Sequence, residues 1–117
     1  MTLFQQQISG VEEIAVKITG NTATTIVNGT DQAWVVPWFQ VNENANGTQL
    51  LTVDLYDGTN SYCLGAASLV WKTKAVTGYL SLTFTDIEVP SGWKLRVTSS
   101  DAAGKFDVVG TKARRVS

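Results

Sequence analysis

The feature that most constrains this chain is a two-residue alternation of apolar and polar side chains that recurs along most of its length. Ile14, Val16 and Ile18 alternate with Ala15 and Lys17, and Leu51, Val53 and Leu55 with Thr52, Asp54 and Tyr56. Leu80, Leu82 and Phe84 alternate with Ser81, Thr83 and Thr85, and Trp93, Leu95 and Val97 with Lys94, Arg96 and Thr98. A strand points successive side chains to opposite faces, so each segment offers one face to a core and the other to solvent. β-branched residues crowd positions 22–27 as well, which disfavours helix further.

Turn chemistry separates these segments. Asn28-Gly29, Asn46-Gly47, Asp57-Gly58, Pro90-Ser91-Gly92 and Ala103-Gly104 supply residues that accept tight bends or positive φ. Asp57-Gly58-Thr59-Asn60 reads as a hairpin loop joining residues 49–56 to 61–65. The apolar phase slips once: Leu80, Leu82 and Phe84 share a parity that Ile87 and Val89 do not, so a bulge or break is expected near Thr85-Asp86. The pattern predicts an all-β chain, a single antiparallel β-sandwich of jelly-roll-like form with about nine short strands. One domain over residues 1–117 is expected, with 1–10 as an N-terminal arm and 113–117 as a C-terminal tail. At 117 residues the chain can close a core without metal or disulfide help.

Only 16% of residues are charged, so Thr, Ser, Asn and Gln must supply much of the polar surface, which leaves it open to close approach by a neighbour. The net charge of −1 creates no field to draw in nucleic acid, and none is expected as a partner. The charge is uneven, with six acids and one base in residues 1–60 against four acids and eight bases in 61–117. Either strands from the two halves interleave and the charges mix, or a dipolar particle meets its own copies. A single cysteine, Cys63, excludes an intrachain disulfide and is expected in the core. The N-terminal residues lack a signal-peptide pattern and no stretch reaches the roughly 20 apolar residues of a membrane span. No membrane partner is expected, and synthesis in a reducing cytoplasm is. Asn28-Gly29-Thr30 and Asn46-Gly47-Thr48 match the glycosylation pattern and read as turns.

The residues for catalysis are missing. The sequence has no histidine, which removes His-based triads, His-ligated metals and the usual proton carrier near neutrality. Cys63 lacks the histidine that would activate it as a nucleophile. Glu12 and Glu13 point to opposite faces of a strand. Asp86 and Glu88 share a face at roughly 7 Å, a spacing a glycosidase could use, but short loops leave no cleft for a substrate. Asp54, Asp57, Asn60 and carbonyls of the Asp57–Asn60 turn could form a calcium loop, but the EF-hand spacing is absent and a capped hairpin explains them more simply. The bases Lys72, Lys74, Lys94, Arg96, Lys112, Arg114 and Arg115 read as a solvated sheet face. The chain is therefore expected to be no enzyme and to carry no metal or cofactor.

Four tryptophans point elsewhere. Trp71 and Trp93 share parity with apolar neighbours and are expected to point inward. In the segment from Trp34 to Asn42, one parity carries Val35, Pro37, Phe39 and Val41, and the other Trp34, Val36, Trp38, Gln40 and Asn42. Pro37 cannot donate to a ladder, which suits an edge strand or a bulge. On an edge strand, Trp34, Val36, Trp38 and Gln40 form an exposed contact patch. The alternative is that an arm covers them. Phe4 and Gln5 before the first strand and Arg114 and Arg115 after the last are candidate assembly arms.

The course from Asn21-Thr22-Ala23-Thr24-Thr25-Ile26-Val27 through Val41-Asn42 and Leu51-Thr52-Val53-Asp54-Leu55 to Val89-Pro90-Ser91-Gly92-Trp93-Lys94-Leu95-Arg96-Val97-Thr98 resembles small β-sandwich virion proteins of tailed bacteriophages. These are capsid decoration (cement) proteins and base proteins of head spikes or fibres. The Trp-rich stretch at 34–39 departs from that pattern. The resemblance implies a non-enzymatic virion component made in the host cytoplasm, a homo-oligomer, often a trimer, whose partner is a capsid or a fibre or spike protein. The competing reading is a carbohydrate-binding module whose exposed tryptophans stack on sugars.

Overall fold

A computed structural model describes residues 8–44, 48–70 and 81–115. Every regular element among them is a strand. β1 (Ile8–Ile18), β2 (Thr24–Asn28), β3 (Trp34–Glu43) and β4 (Thr48–Tyr56) come first. β5 (Ser61–Val70), β6 (Ser81–Val89), β7 (Lys94–Ser99) and β8 (Phe106–Arg115) follow. The described residues thus hold eight strands where about nine were expected.

The strands form two four-stranded antiparallel sheets, ordered β1-β8-β3-β6 and β2-β7-β4-β5. Among the described strands only β4 and β5 are consecutive neighbours within one sheet, a hairpin. Every other pair of consecutive described strands lies in opposite sheets, which is the winding of a jelly roll. The expected all-β sandwich is therefore what forms. The alternation read from sequence explains why: along β7 the odd positions Leu95, Val97 and Ser99 are buried while Lys94, Arg96 and Thr98 stay partly exposed. Ile14, Ile18, Val36, Phe39, Val41, Phe106 and Val108 from the first sheet meet Val27, Leu51, Val53, Leu95 and Val97 from the second. Phe39 and Phe84 extend this core as a stacked pair with ring centroids 4.8 Å apart.

Three irregularities in the first sheet set which side chains reach solvent. β1 shifts register against β8 between Ser9 and Val11, where Gly10 has φ +68°. β3 shifts against β8 between Val35 and Trp38. β6 carries Asp86 at φ 55°, at the site of the expected phase break, and inward parity passes from Leu82 and Phe84 to Ile87 and Val89.

Several expectations need correction. β3 lies between β8 and β6, so it is an interior strand, and Pro37 sits in its bulge. Residues 8–10 belong to β1 and 113–115 to β8, so sheet pairing extends into both segments expected to be arm and tail. Cys63 is exposed rather than in the core. The cause is a register shift between Val53 and Asp54, which puts Cys63 opposite Asp54 instead of an inward-facing residue. Trp93 does turn toward the core as expected, half-buried against it and stacked on Tyr62 at 5.4 Å. Trp71, Phe4 and Gln5 lie outside the described residues.

Candidate functional site

The register of the first sheet lays out its outer face row by row, because directly paired residues share a face. One row runs Lys17, Asp107, Asn42, Ser81; the next runs Ala15, Val109, Gln40, Thr83. Beyond them lie Glu13, Thr111, Trp38, Thr85 and, past the bulges, Val11, Ala113, Val35, Glu88. The two middle rows hold one charged residue, Glu13, at the β1 edge. Their centre is Trp38, 40% exposed, with Val109 at 39% beside it and Val11 at 73% toward the edge. The Gln40 amide donates to Thr83 Oγ1 at 3.1 Å, which fixes a neutral polar group next to the tryptophan. Charge collects at the ends: Lys17 and Asp107 at one, Glu88 and Arg115 at the other, the last two joined as an ion pair. A neutral, partly apolar centre inside a charged rim is the anatomy of a protein contact surface.

The expected patch of Trp34, Val36, Trp38 and Gln40 is thus split by the bulge. Trp38 is exposed and Gln40 partly so, while Trp34 is only 7% exposed and Val36 fully buried. One extra residue at Pro37 puts Trp34 and Val36 on the core side, with Phe39 and Val41, and sends Trp38 outward. Trp34 closes the end of the sandwich. Its Nε1 donates to the Asn28 carbonyl at 3.0 Å, and Lys112 Nζ sits 4.4 Å above its ring. Arg114 lies over the same ring at 5.7 Å and 3.9 Å from Glu12. The arginines expected in a tail are therefore strand residues.

On the outer face of the second sheet, Asp54 is nearly buried and fully engaged. It accepts from Arg96 Nε at 3.2 Å and Nη2 at 2.6 Å, and from the Ser61 hydroxyl. Burial raises its pKa, but the Arg96 and Ser61 hydrogen bonds outweigh that, and the carboxyl is held below its ordinary value. Arg96 also stacks on Tyr56 at 3.9 Å. Asp57 Oδ1 accepts the backbone N–H groups of Thr59 at 2.8 Å and Asn60 at 2.6 Å. The Asp54, Asp57 and Asn60 trio is thus a capped hairpin and an ion pair. No cluster of three metal-ligating side chains occurs among the described residues. Of the two acids that were spaced for hydrolysis, Glu88 is paired with Arg115 and Asp86 sits at the β6 phase break with φ 55°.

No family model matches this sequence, and a search of curated proteins found no match. Solved structures do match. A pentameric capsid protein from metagenomic phage sequences is 18% identical with a TM-score of 0.53, the match covering 97% of this chain and 68% of that one. A protein of Bacillus endospore appendages, disulfide-linked pili, is 16% identical with a TM-score of 0.54, covering 99% of this chain and 94% of that one. At these identities the likeness is one of fold. It is a fold used by a capsid protein and by a pilus protein.

Proposed function

We propose that this chain is a structural virion protein that acts by protein–protein assembly, as a capsid decoration (cement) or head-spike or fibre base component of a tailed phage. The observation that carries the reading is the outer face of β1-β8-β3-β6, a neutral surface centred on exposed Trp38 and rimmed by charge. Trp38 and Gln40 are its contact residues, and its partners are further copies of the chain, in a trimer, and a capsid or spike protein. The sequence pattern points the same way through its likeness to phage virion proteins, and the fold is compatible with that role. The ion pairing of Glu88 and the engagement of Asp54 leave those carboxylates in structural roles, in line with a non-catalytic protein. Among the described residues no helix is long and apolar enough to cross a membrane.

The test is assembly. Light scattering behind size exclusion is expected to give an oligomer whose mass falls for Trp38→Arg, with the circular dichroism of the native chain retained. A strictly monomeric native chain that binds no capsid or spike protein overturns the reading. One observation supports a second reading, carbohydrate binding. Trp38 lies among the neutral hydrogen-bonding groups of Gln40, Thr85 and Thr111, which suits a sugar ring stacked on an indole. Retention on insoluble polysaccharide that Trp38→Ala abolishes would replace the first reading with the second.

A further inference from the structure

Glu13 and Lys17 are opposite charges on the outer face of β1, both exposed, and neither forms an ion pair with a described residue. Four strand residues separate them by roughly 13 Å, too far for one to satisfy the other. Ala15 lies midway between them. The same symmetry runs across the whole sheet, because three successive outer rows pair there without a bulge. Ala15, Val109, Gln40 and Thr83 form the middle row. On one side of it lie Glu13, Thr111, Trp38 and Thr85, and on the other Lys17, Asp107, Asn42 and Ser81. Trp38 is 40% exposed and Val109 39%, and Ala15, Ser81, Thr83 and Thr85 are exposed as well, so these rows form an open face.

We propose that this face packs on the same face of a second copy, about a two-fold axis that runs across the strands along the row from Ala15 to Thr83. Such an axis lays the two sheets face to face, roughly 10 Å apart, with their strands antiparallel over one another. It also exchanges the flanking rows, so that each meets the opposite row of the partner. Lys17 then meets the partner's Glu13, and Glu13 the partner's Lys17, two ion pairs that span the gap on long side chains. Thr111 faces the partner's Asp107, and Trp38 faces the neutral amide of the partner's Asn42. Within these rows no two like charges oppose. Ala15 and Val109 lie on the axis against their own counterparts, and with the two tryptophans they supply the apolar burial. A two-fold axis along the strands sets β1 over β6 instead, and Glu13 and Lys17 then meet Thr85 and Ser81 and gain no partner. Charge complementarity therefore selects the axis across the strands. This contact rests on the assembly reading and deepens it: a second copy occupies the Trp38 face, and further copies or virion proteins attach elsewhere.

Charge reversal tests the axis. In Lys17→Glu, as in Glu13→Lys, both ion pairs become like-charge contacts, and self-association measured by sedimentation equilibrium is expected to weaken by roughly tenfold. Mixing the two variants restores it, because each presents to the other the charges that it cannot present to itself. Circular dichroism reports whether each variant folds. If one does not, Glu13→Gln and Lys17→Gln decide: each removes both pairs, weakens association by about threefold and flattens its dependence on salt. Native association that none of these variants changes overturns the two-fold contact, as does a mixture no tighter than its components. If that association is nonetheless lost in Trp38→Arg, the assembly reading stands. A native chain that is monomeric yet binds a capsid or spike protein likewise overturns the contact alone. A chain that stays monomeric at every concentration and binds no virion protein sinks both.

Discussion

Gly110 shows how a single missing side chain shapes the candidate face. It is buried in β8 beside the β3 bulge, where a Cβ would lie 2.5 Å from the Trp38 carbonyl oxygen and 2.7 Å from Phe39 Cα. Those are backbone atoms, so neither can swing aside. Gly110→Ala is expected to cost about 1–3 kcal/mol through overpacking. It should appear as a lower denaturant midpoint with an unchanged m-value, and it should displace Trp38 as well. Asp54 makes a different prediction. Its folded-state pKa lies below the ordinary 3.8, so its contribution is present above that pH and is lost as the pH falls through the folded value. Arg96 is about one-fifth exposed, which limits the pair's worth through solvent screening. Asp54→Asn is therefore expected to lower stability by about 1 kcal/mol at pH 7. Urea unfolding of the two proteins should converge as the pH drops below 3.8; a gap that persists in acid would assign the loss to packing instead.

At the scale of elements, the β6 break and the β3 bulge separate what the sequence made legible from what it hid. The β6 break could be read because Phe84 and Ile87 are both large and apolar on opposite parities, and Asp86 between them adopts φ 55°. The β3 bulge could not, because apolar residues fill both parities from Trp34 to Phe39 and a slip leaves no trace in such a run. Pro37 was the one signal there, and it fits a bulge as well as an edge. That ambiguity is why Trp34 and Val36 were expected beside Trp38 on the surface. Cys63 misled similarly, since the shift in β5 depends on pairing with β4 rather than on any turn residue. Strand identity, the β4–β5 hairpin and the sandwich were all readable from period and turn chemistry. If Asp86 holds the β6 break by accepting a left-handed conformation, Asp86→Gly should be neutral or slightly stabilising. Asp86→Ile should lose about 1–2 kcal/mol in thermal or denaturant unfolding. Equal losses for both would show that the carboxylate, rather than the backbone, matters at that position.

Across the whole molecule, the jelly-roll winding reconciles the uneven charge of the two halves. β1 lies on β8 and β4 on β7, so strands of the acidic half border strands of the basic half. Arg96 with Asp54 and Arg114 with Glu12 are pairs of that origin. Interleaving therefore accounts for the asymmetry without a dipolar particle. The same winding makes β8 the strand on which the first sheet depends. It is flanked by β1 on one side and β3 on the other, and it carries Phe106 and Val108 into the core. Removing it strips β1 of its strand partner, leaves a new edge on β3, and opens a large apolar surface over Ile14, Ile18, Phe39 and Val41. Loss of two buried side chains of this size alone costs several kcal/mol, comparable to the net stability of a small domain. A chain ending at Lys105 is thus expected to lose its cooperative unfolding transition and to bind a hydrophobic dye at neutral pH. Adding a separate peptide of residues 106–115 should restore the transition if the register from Ile18–Phe106 to Ile8–Arg115 is what holds the sheet together. A truncated chain that still unfolds cooperatively would mean that the second sheet, β2-β7-β4-β5, can hold a core with β1, β3 and β6 alone.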